Sequence, residues 1–333
     1  MKKRLQFIMI LMISAIILMA CGTENASKDD SSEKGEKFKI GATQIVEHDS
    51  LNAAYEGFQA ALKDADLNVE FDSQNAQGDK NNVKTISDKF VADDVDLIFA
   101  NSTDSALGAL QATSDIPIVF TSVTDAVGAG IVESMDEGGE NITGVVDLHP
   151  DAIKQTVDFI DTYFKDATVG LIYNAGEQNS VIQIEAVQEA AEGSSLSFKE
   201  RTVANSAEVQ QAATTLAGDV DVIYILTDNT VVSALDSVVG IANDHKIPLI
   251  VGEPDSLVKG GFATFGFDYH TIGYRTGEMA VDILTEKKTT KEIPVELPPE
   301  IQLYINKDAA EEQGIEWNDE WDEIAEFMGT ETE

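Results

Sequence analysis

Asp94-Val95-Asp96-Leu97-Ile98-Phe99 recurs as Asp219-Val220-Asp221-Val222-Ile223-Tyr224, at an offset of 125 residues. Four or more apolar residues in a row, set off by aspartates, read as a strand buried on both faces. The offset persists downstream: Ser102-Thr103-Asp104-Ser105 lies over Thr227-Asp228-Asn229-Thr230, and Leu110 over Leu235. Ile116-Pro117-Ile118-Val119 returns as Ile247-Pro248-Leu249-Ile250, and the stretch 38–62 has a counterpart at 167–191. A repeat of this length is far beyond the roughly 20–50 residues of a solenoid unit, so it marks two lobes of one topology.

Short apolar runs alternate with amphipathic ones inside each unit. FKIGATQIV (38–46), LNVEFDSQ (67–74), VDLIFANS (95–102) and IPIVFTSV (116–123) read as strands. Between them, Ser50–Ala65, Asn81–Ala92 and Ser102–Ala112 have helical spacing; the first carries Leu51, Ala54, Phe58, Ala61 and Leu62 on one face. Strand–helix alternation predicts an α/β fold, with a Rossmann-like parallel sheet in each lobe. Asn141-Ile142-Thr143-Gly144-Val145 is the expected first crossing between lobes. Residues 262–270, a helix over 271–285 and the run 301–305 are expected to return to the first lobe and cross back. The expected division is therefore 38–146 plus 268–295 for one lobe and 147–267 plus 296–328 for the other, joined by a three-stranded hinge. A helix over 317–328 is expected to pack Trp317 and Trp321 on the second lobe.

The N-terminus has a different character. Met1-Lys2-Lys3-Arg4 is basic, residues 5–20 are almost all apolar, and the only cysteine, Cys21, follows. This is the pattern of a secretory signal, too short for a comfortable membrane-spanning helix. Leu18-Met19-Ala20-Cys21 resembles the bacterial lipobox, which implies an acylated Cys21, a signal peptide over 1–20 and a lipid anchor at the extracytoplasmic face. Residues 21–37 are polar and read as that lipidated cysteine and a flexible tether. Acylation would leave no thiol for a disulfide or for catalysis.

The chain carries 60 acidic against 22 basic residues, a net charge of −38. Nucleic-acid binding needs lysine and arginine to displace counterions, so that class is excluded. Such an acidic body is expected at a Gram-positive cell surface. The four histidines (48, 149, 245 and 270) have no metal-ligand spacing, and neither metal nor cofactor is expected. GxGxxG, GxxxxGK[ST] and GxSxG motifs are absent from the first strand–helix turn, GATQIVEHDS (41–50), and no enzyme is expected.

In open α/β sheets a ligand lies beyond the carboxyl ends of the strands. The loops there are rich in small hydrogen-bonding residues. Gln44, Glu47 and His48 follow the first strand, with Ser50 placed to cap the helix. Asn101, Ser102 and Thr103 follow a buried strand and open a helix, where free amides favour an anion. Ser122, Thr124 and Asp125 follow IPIVF. Asn174, Gln178 and Asn179 belong to the second lobe, as do Thr227, Asp228 and Asn229. Glu253 and Asp268 complete the candidates. A carboxylate among donors suits an ammonium, which makes Asp228 the expected amine clamp, with a carboxylate group held from the first lobe.

QIVEHDSL, NSTDSALGAL, PIVFTSVTDAVGAGIV, NITGVVDL, TDNTVVSAL and GFDYHTIGYRTGEMA, in this order, resemble the ABC-transporter substrate-binding proteins of the tryptophan/tyrosine-binding type. The resemblance covers about residues 38–315. It implies the periplasmic-binding-protein type I fold, a permease and an ATPase as partners, a monomer, and an aromatic amino acid as ligand. Tyr173, Phe267 and Tyr269 are candidates for the apolar slot such a ligand needs. Ala126 departs from the pattern, which has proline after the residue matching Asp125. A nucleoside- or sugar-binding lipoprotein of the same fold, and a surface receptor without transport, are the alternatives.

Overall fold

The computed structural model describes residues 37–330. The signal peptide, Cys21 and the tether up to residue 36 lie outside them. Lys37, expected to end the tether, instead opens the first strand.

In chain order the first lobe holds β1 (Lys37–Gln44), α1 (Asp49–Asp64), β2 (Asn68–Asn75), α2 (Lys80–Ala92), β3 (Leu97–Asn101), α3 (Thr103–Ala112), β4 (Ile118–Val123) and β5 (Ile142–Val146). The strands form a parallel sheet in the order β2-β1-β3-β4-β5. Next come α4 (Ala152–Tyr163), β6 (Thr168–Tyr173), α5 (Gln178–Ala190), β7 (Ser197–Thr202), α6 (Val209–Ala217), β8 (Val222–Ile225), α7 (Asn229–Val232), α8 (Leu235–His245), β9 (Leu249–Val251), α9 (Pro254–Val258) and β10 (Ala263–Gly266). Their order, β7-β6-β8-β9-β10, repeats that of the first sheet. The duplication read from DVDLIF and DVDVIY is thus a duplication of topology.

The helix α10 (Tyr269–Leu284) leaves the second sheet and packs on α1 of the first. Two glycines permit this approach. A Cβ on Gly273 would stand 1.8 Å from the Ala54 carbonyl oxygen, and one on Gly57 2.1 Å from that of His270. Residues 290–296 run along β5, where Val146 N donates to Glu296 O at 2.9 Å. The chain then returns to pair β11 (Gln302–Asn306) antiparallel with β10. It therefore passes between the sheets three times, after β5, after β10 and before β11.

The first sheet is covered on both faces. Val83, Phe90, Ala106 and Ala109 of α2 and α3 bury one side. Ala54, Phe58 and Leu62 of α1 bury the other, together with Ile272 and Met279 of α10. Phe58 stacks on Phe99 at 4.1 Å. Each such buried side chain contributes about 1.5–3 kcal/mol.

The C-terminus differs from expectation. In place of a helix over 317–328 there is one turn, α12 (Trp321–Ile324), after α11 (Lys307–Glu312), and then a strand, β12 (Glu326–Met328). The open edge of β11 takes β12 as a parallel partner, from Tyr304 against Glu326 to Asn306 against Met328. Those ladder bonds replace helical ones. Trp321 is buried against Phe262, as a second-lobe packing residue.

Candidate functional site

The carboxyl ends of both sheets face one cleft, and the lobes touch across it. Lys80 Nζ bonds Asp104 Oδ1 (2.8 Å) in its own lobe and the Gly176 carbonyl (3.0 Å) in the other. Gln178 Nε2 donates to Gly128 O (2.9 Å), and Lys259 pairs with Asp49 (2.9 Å). His48 Nε2 lies 3.4 Å from Asn229 Oδ1. Burial lowers the His48 pKa, against the pull of Glu253 first and of the Asn229 bond, Glu177 and Asp49 after it. The imidazole is accordingly neutral at pH 7.

The first lobe presents polar atoms that nothing in the fold satisfies. Asn101 is fully buried; its Nδ2 holds Leu51 O (2.7 Å) and Gln44 Oε1 (3.2 Å), and its Oδ1 has no partner. The hydroxyls of Thr103 and Ser122 are buried and unpartnered as well. Two serines that end strands have positive φ, Ser102 at 135° and Ser122 at 56°. Backbone of this kind costs about 1–3 kcal/mol per residue and concentrates at functional sites. Ser102 caps α3 by accepting from Ser105 N (3.1 Å). Ser50 is no cap: the N-cap of α1 is His48, with extended backbone and no side-chain bond.

The second lobe is built the opposite way. Asp228 has no solvent exposure, and both its oxygens are taken. Oδ2 accepts from Asn174 N (2.6 Å) and Ser180 Oγ (2.7 Å), while Oδ1 caps α7 by accepting from Val231 N (2.8 Å). Burial, then Glu177, pushes its pKa up to about 7. Glu177 accepts from the backbone and side chains of Asn229 and Thr230. Gln183 Oε1 receives Thr227 N and Oγ1, and Asn179 Nδ2 donates to Thr227 O (3.2 Å). The Asn174 side chain holds Thr230 Oγ1 (2.9 Å). Glu253 caps α9 through Ser256 N and Oγ. Three bonds from its own lobe already engage Asp228, so the residue expected to clamp an amine also holds together the turns of the second lobe. The structural counterpart of Asp228 is Ser102 rather than Thr103, since each is the N-cap of the helix after the central strand.

Other candidates fall outside the cleft floor. Gln44 is spent on Val46 O, Asn52 and Asn101. Glu47 is exposed at the rim. Asp125 closes a turn by accepting from Val127 N and Gly128 N, with Ala126 buried inside it. Thr124 is buried beside it. Asp268 is an exposed cap of α10, accepting from His270 N (2.8 Å). Tyr173 points to the far edge of the second sheet, where its hydroxyl bonds Glu200 (2.9 Å), so it lines no slot.

Sequence reasoning overlooked Glu177, Gln183 and Asp147. Glu177 lies between the candidates Asn174 and Gln178, in a stretch (NAGEQNS, 174–180) whose amides are its more numerous polar groups. Asp147 follows β5 at the first crossing, a place read only for its backbone. Its Oδ2 accepts from the Tyr269 hydroxyl (2.9 Å), and its Oδ1 is shielded and unpartnered. Burial raises its pKa to about 6, against the Tyr269 and Thr124 hydroxyls. Tyr269 stacks on Phe267 at 5.3 Å and 9°. With Tyr224, Phe265 and Thr227 these residues wall a small enclosed space of about 20 Å³. Glu253 divides it from a cavity of about 160 Å³, bordered by His48, Ser50, Asp236 and Asp255. Burial, then Glu253, Asp268 and Asp49, pushes Asp255 up to about 7. Among the described residues no group of three or more acids, histidines or cysteines is placed to hold a metal ion, and no helix is long and apolar enough to cross a membrane.

Two like lobes around a cleft of paired turns define a two-lobed solute-binding protein, and the comparisons agree. The family model for ABC transporter substrate binding proteins matches residues 39–326, and the chain belongs to that family. Its members carry a ligand rather than transform it. The tyrosine-binding protein of Clostridioides difficile is 40% identical over 316 residues, 92% of this chain and 91% of that protein. An ABC domain from Streptococcus pneumonia, solved in complex with L-Trp, is 31% identical and superposes with a TM-score of 0.82, over 88% of this chain and 99% of that one. A Clostridium difficile substrate binding protein with adhesive properties, in its ligand-free, open structure, is 37% identical yet superposes at 0.64, over 88% of this chain and 100% of that one.

Proposed function

We propose that this protein is the solute-binding subunit of an ABC importer, capturing an aromatic amino acid between its lobes and delivering it to a permease–ATPase pair. The supporting observation is the set of unpartnered polar atoms of Asn101, Thr103, Ser122 and Asp147 at the carboxyl ends of β3, β4 and β5, with positive φ at Ser122 and at Ser102 between the first two. Buried polar groups are ordinarily paired, so a cluster of unpaired ones at a cleft calls for a ligand. Phe267 and Tyr269 supply the apolar wall beside it. The relatives that bind tyrosine and tryptophan point to the same class of ligand.

The mechanism is hinge closure. Residues 38–146 with 268–295 move against 147–267 with 296–328 about the three crossings. Ligand docks on the first lobe while the cleft is open, and the second lobe closes over it. The higher superposition on the L-Trp complex than on the open form, despite lower identity, supports reading this arrangement as closed. A lipid on Cys21 would hold the protein at the outer face of the membrane as a monomer.

Calorimetry with tryptophan, tyrosine, phenylalanine, nucleosides and sugars tests the ligand class. At least one aromatic amino acid is expected to bind with micromolar or tighter affinity, and binding of a nucleoside or sugar alone would reject the reading. Radiolabelled palmitate is expected to label the native chain and not Cys21→Ser.

A further inference from the structure

The carboxylates that face the cleft differ in one respect: whether the fold already uses their oxygens. Asp228 and Glu177 receive bonds on both oxygens from their own lobe. Glu253 is held by Ser256. Asp147 alone among these four keeps a shielded oxygen, Oδ1, with no well-aligned hydrogen bond, although the Thr124 hydroxyl is close enough to favour its charge, while Tyr269 fixes the other. A buried carboxylate oxygen without a donor is costly unless a cation or donor arrives. The neighbouring charge, Glu253, is of the same sign and increases that demand.

A donor of the opposite preference comes from the neighbouring strand. Asp147 N bonds Val123 O (3.0 Å), which places Asp147 beside the end of β4. The unpartnered Ser122 hydroxyl lies one residue before Val123, on backbone with φ 56°. The ammonium and carboxylate of an α-amino acid sit on one carbon, so the groups that receive them must lie close together. The geometry points to Asp147, at the first crossing directly after β5, as the seat of the ligand's ammonium and to Ser122, at the end of β4, as the donor to its carboxylate. This rests on the amino-acid reading above and names the residues that would make it specific.

The test is calorimetry on the full chain at pH 8 with L-tyrosine, tyramine, which lacks the carboxylate, and 3-(4-hydroxyphenyl)propionate, which lacks the ammonium. In the native protein the expected order is tyrosine, then tyramine, then the propionate, whose charge repels Asp147. Asp147→Asn is expected to weaken tyrosine and tyramine by about 100-fold and to leave the propionate within about threefold. Ser122→Ala is expected to weaken tyrosine and the propionate by about tenfold and to spare tyramine. The assignment is overturned if Asp147→Asn binds tyrosine as the native protein does, or weakens all three ligands alike. It is also overturned if the native protein prefers the propionate to tyramine, a result independent of how any variant folds. A native protein that binds no aromatic amino acid overturns the functional reading and this one together; binding by the native protein with Asp147→Asn unaffected overturns only the assignment.

Discussion

The turn after β3 and the turn after β8 occupy the same place in two copies of one topology, yet they are built for opposite tasks. Ser102 caps α3 and leaves Thr103 and Asn101 Oδ1 unsatisfied beside it. Asp228 caps α7 and also binds Asn174 and Ser180, while Glu177 ties down the next two residues. One turn stores unmet hydrogen-bonding capacity; the other is already closed on itself. Under the function proposed above, a duplicated fold has divided labour, with a first lobe that reads the ligand and a second that is a pre-set cover.

That contrast breaks if the two turns respond alike to mutation. Asp228→Ala leaves three buried donors unpaired and is expected to cost about 3–5 kcal/mol, lowering Tm by roughly 10 °C. Ser102→Ala is expected to cost only about 1 kcal/mol, the value of a cap. Equal losses in a thermal melt would show that the two turns are equally structural. Thr103→Val is expected to leave Tm within about 2 °C and to weaken ligand binding severalfold by calorimetry.

The contacts across the cleft sharpen the idea of a cover. Lys80→Met removes a bond that joins the lobes only when they meet, so ligand release should quicken by about five- to tenfold in stopped flow. Lys259→Met removes a second exposed contact across the cleft and should quicken release by a similar or smaller factor.

Acidity should move stability and affinity in opposite directions. The pKa values of Asp228 and Asp255 are raised to about 7, and that of Asp147 to about 6. In each case the folded state binds a proton more readily than the unfolded one, so stability falls as pH rises from about 4 to 7. His48, with a lowered pKa, opposes this below about 6.5. Three groups outweigh one, and Tm should be higher at pH 5.5 than at pH 8. Affinity for an ammonium ligand should fall below pH 6 as Asp147 takes up its own proton. The smallest effect is expected from Ala126→Pro, at the start of the turn closed by Asp125: a change in Tm of no more than about 2 °C, upward if the backbone there suits proline.

The architecture was legible because it rests on patterns that survive averaging. DVDLIF and DVDVIY announce two buried central strands, and the alternation around them announces parallel sheets. The C-terminus misled because its few apolar residues fit a helix as well as a strand edge, and only the open side of β11 decides between them. The site was legible as a set of loops and not as a set of contacts. Whether Asp228 faces a ligand or its own lobe depends on Asn174 and Ser180, some fifty residues away. Asp147 carries no local mark at all, since its role arises from where β5 ends relative to Ser122.

The glycine contact between α1 and α10 bears on how the chain is made. Part of the first lobe is not encoded until residues 269–296, so a nascent chain emerging N-terminus first has one side of its first sheet covered by α1 alone for most of synthesis. Premature collapse of that half is disfavoured while its covering helix is missing. Completion of the first lobe therefore waits on a segment made after most of the second, which ties the final compaction of both halves to the end of synthesis.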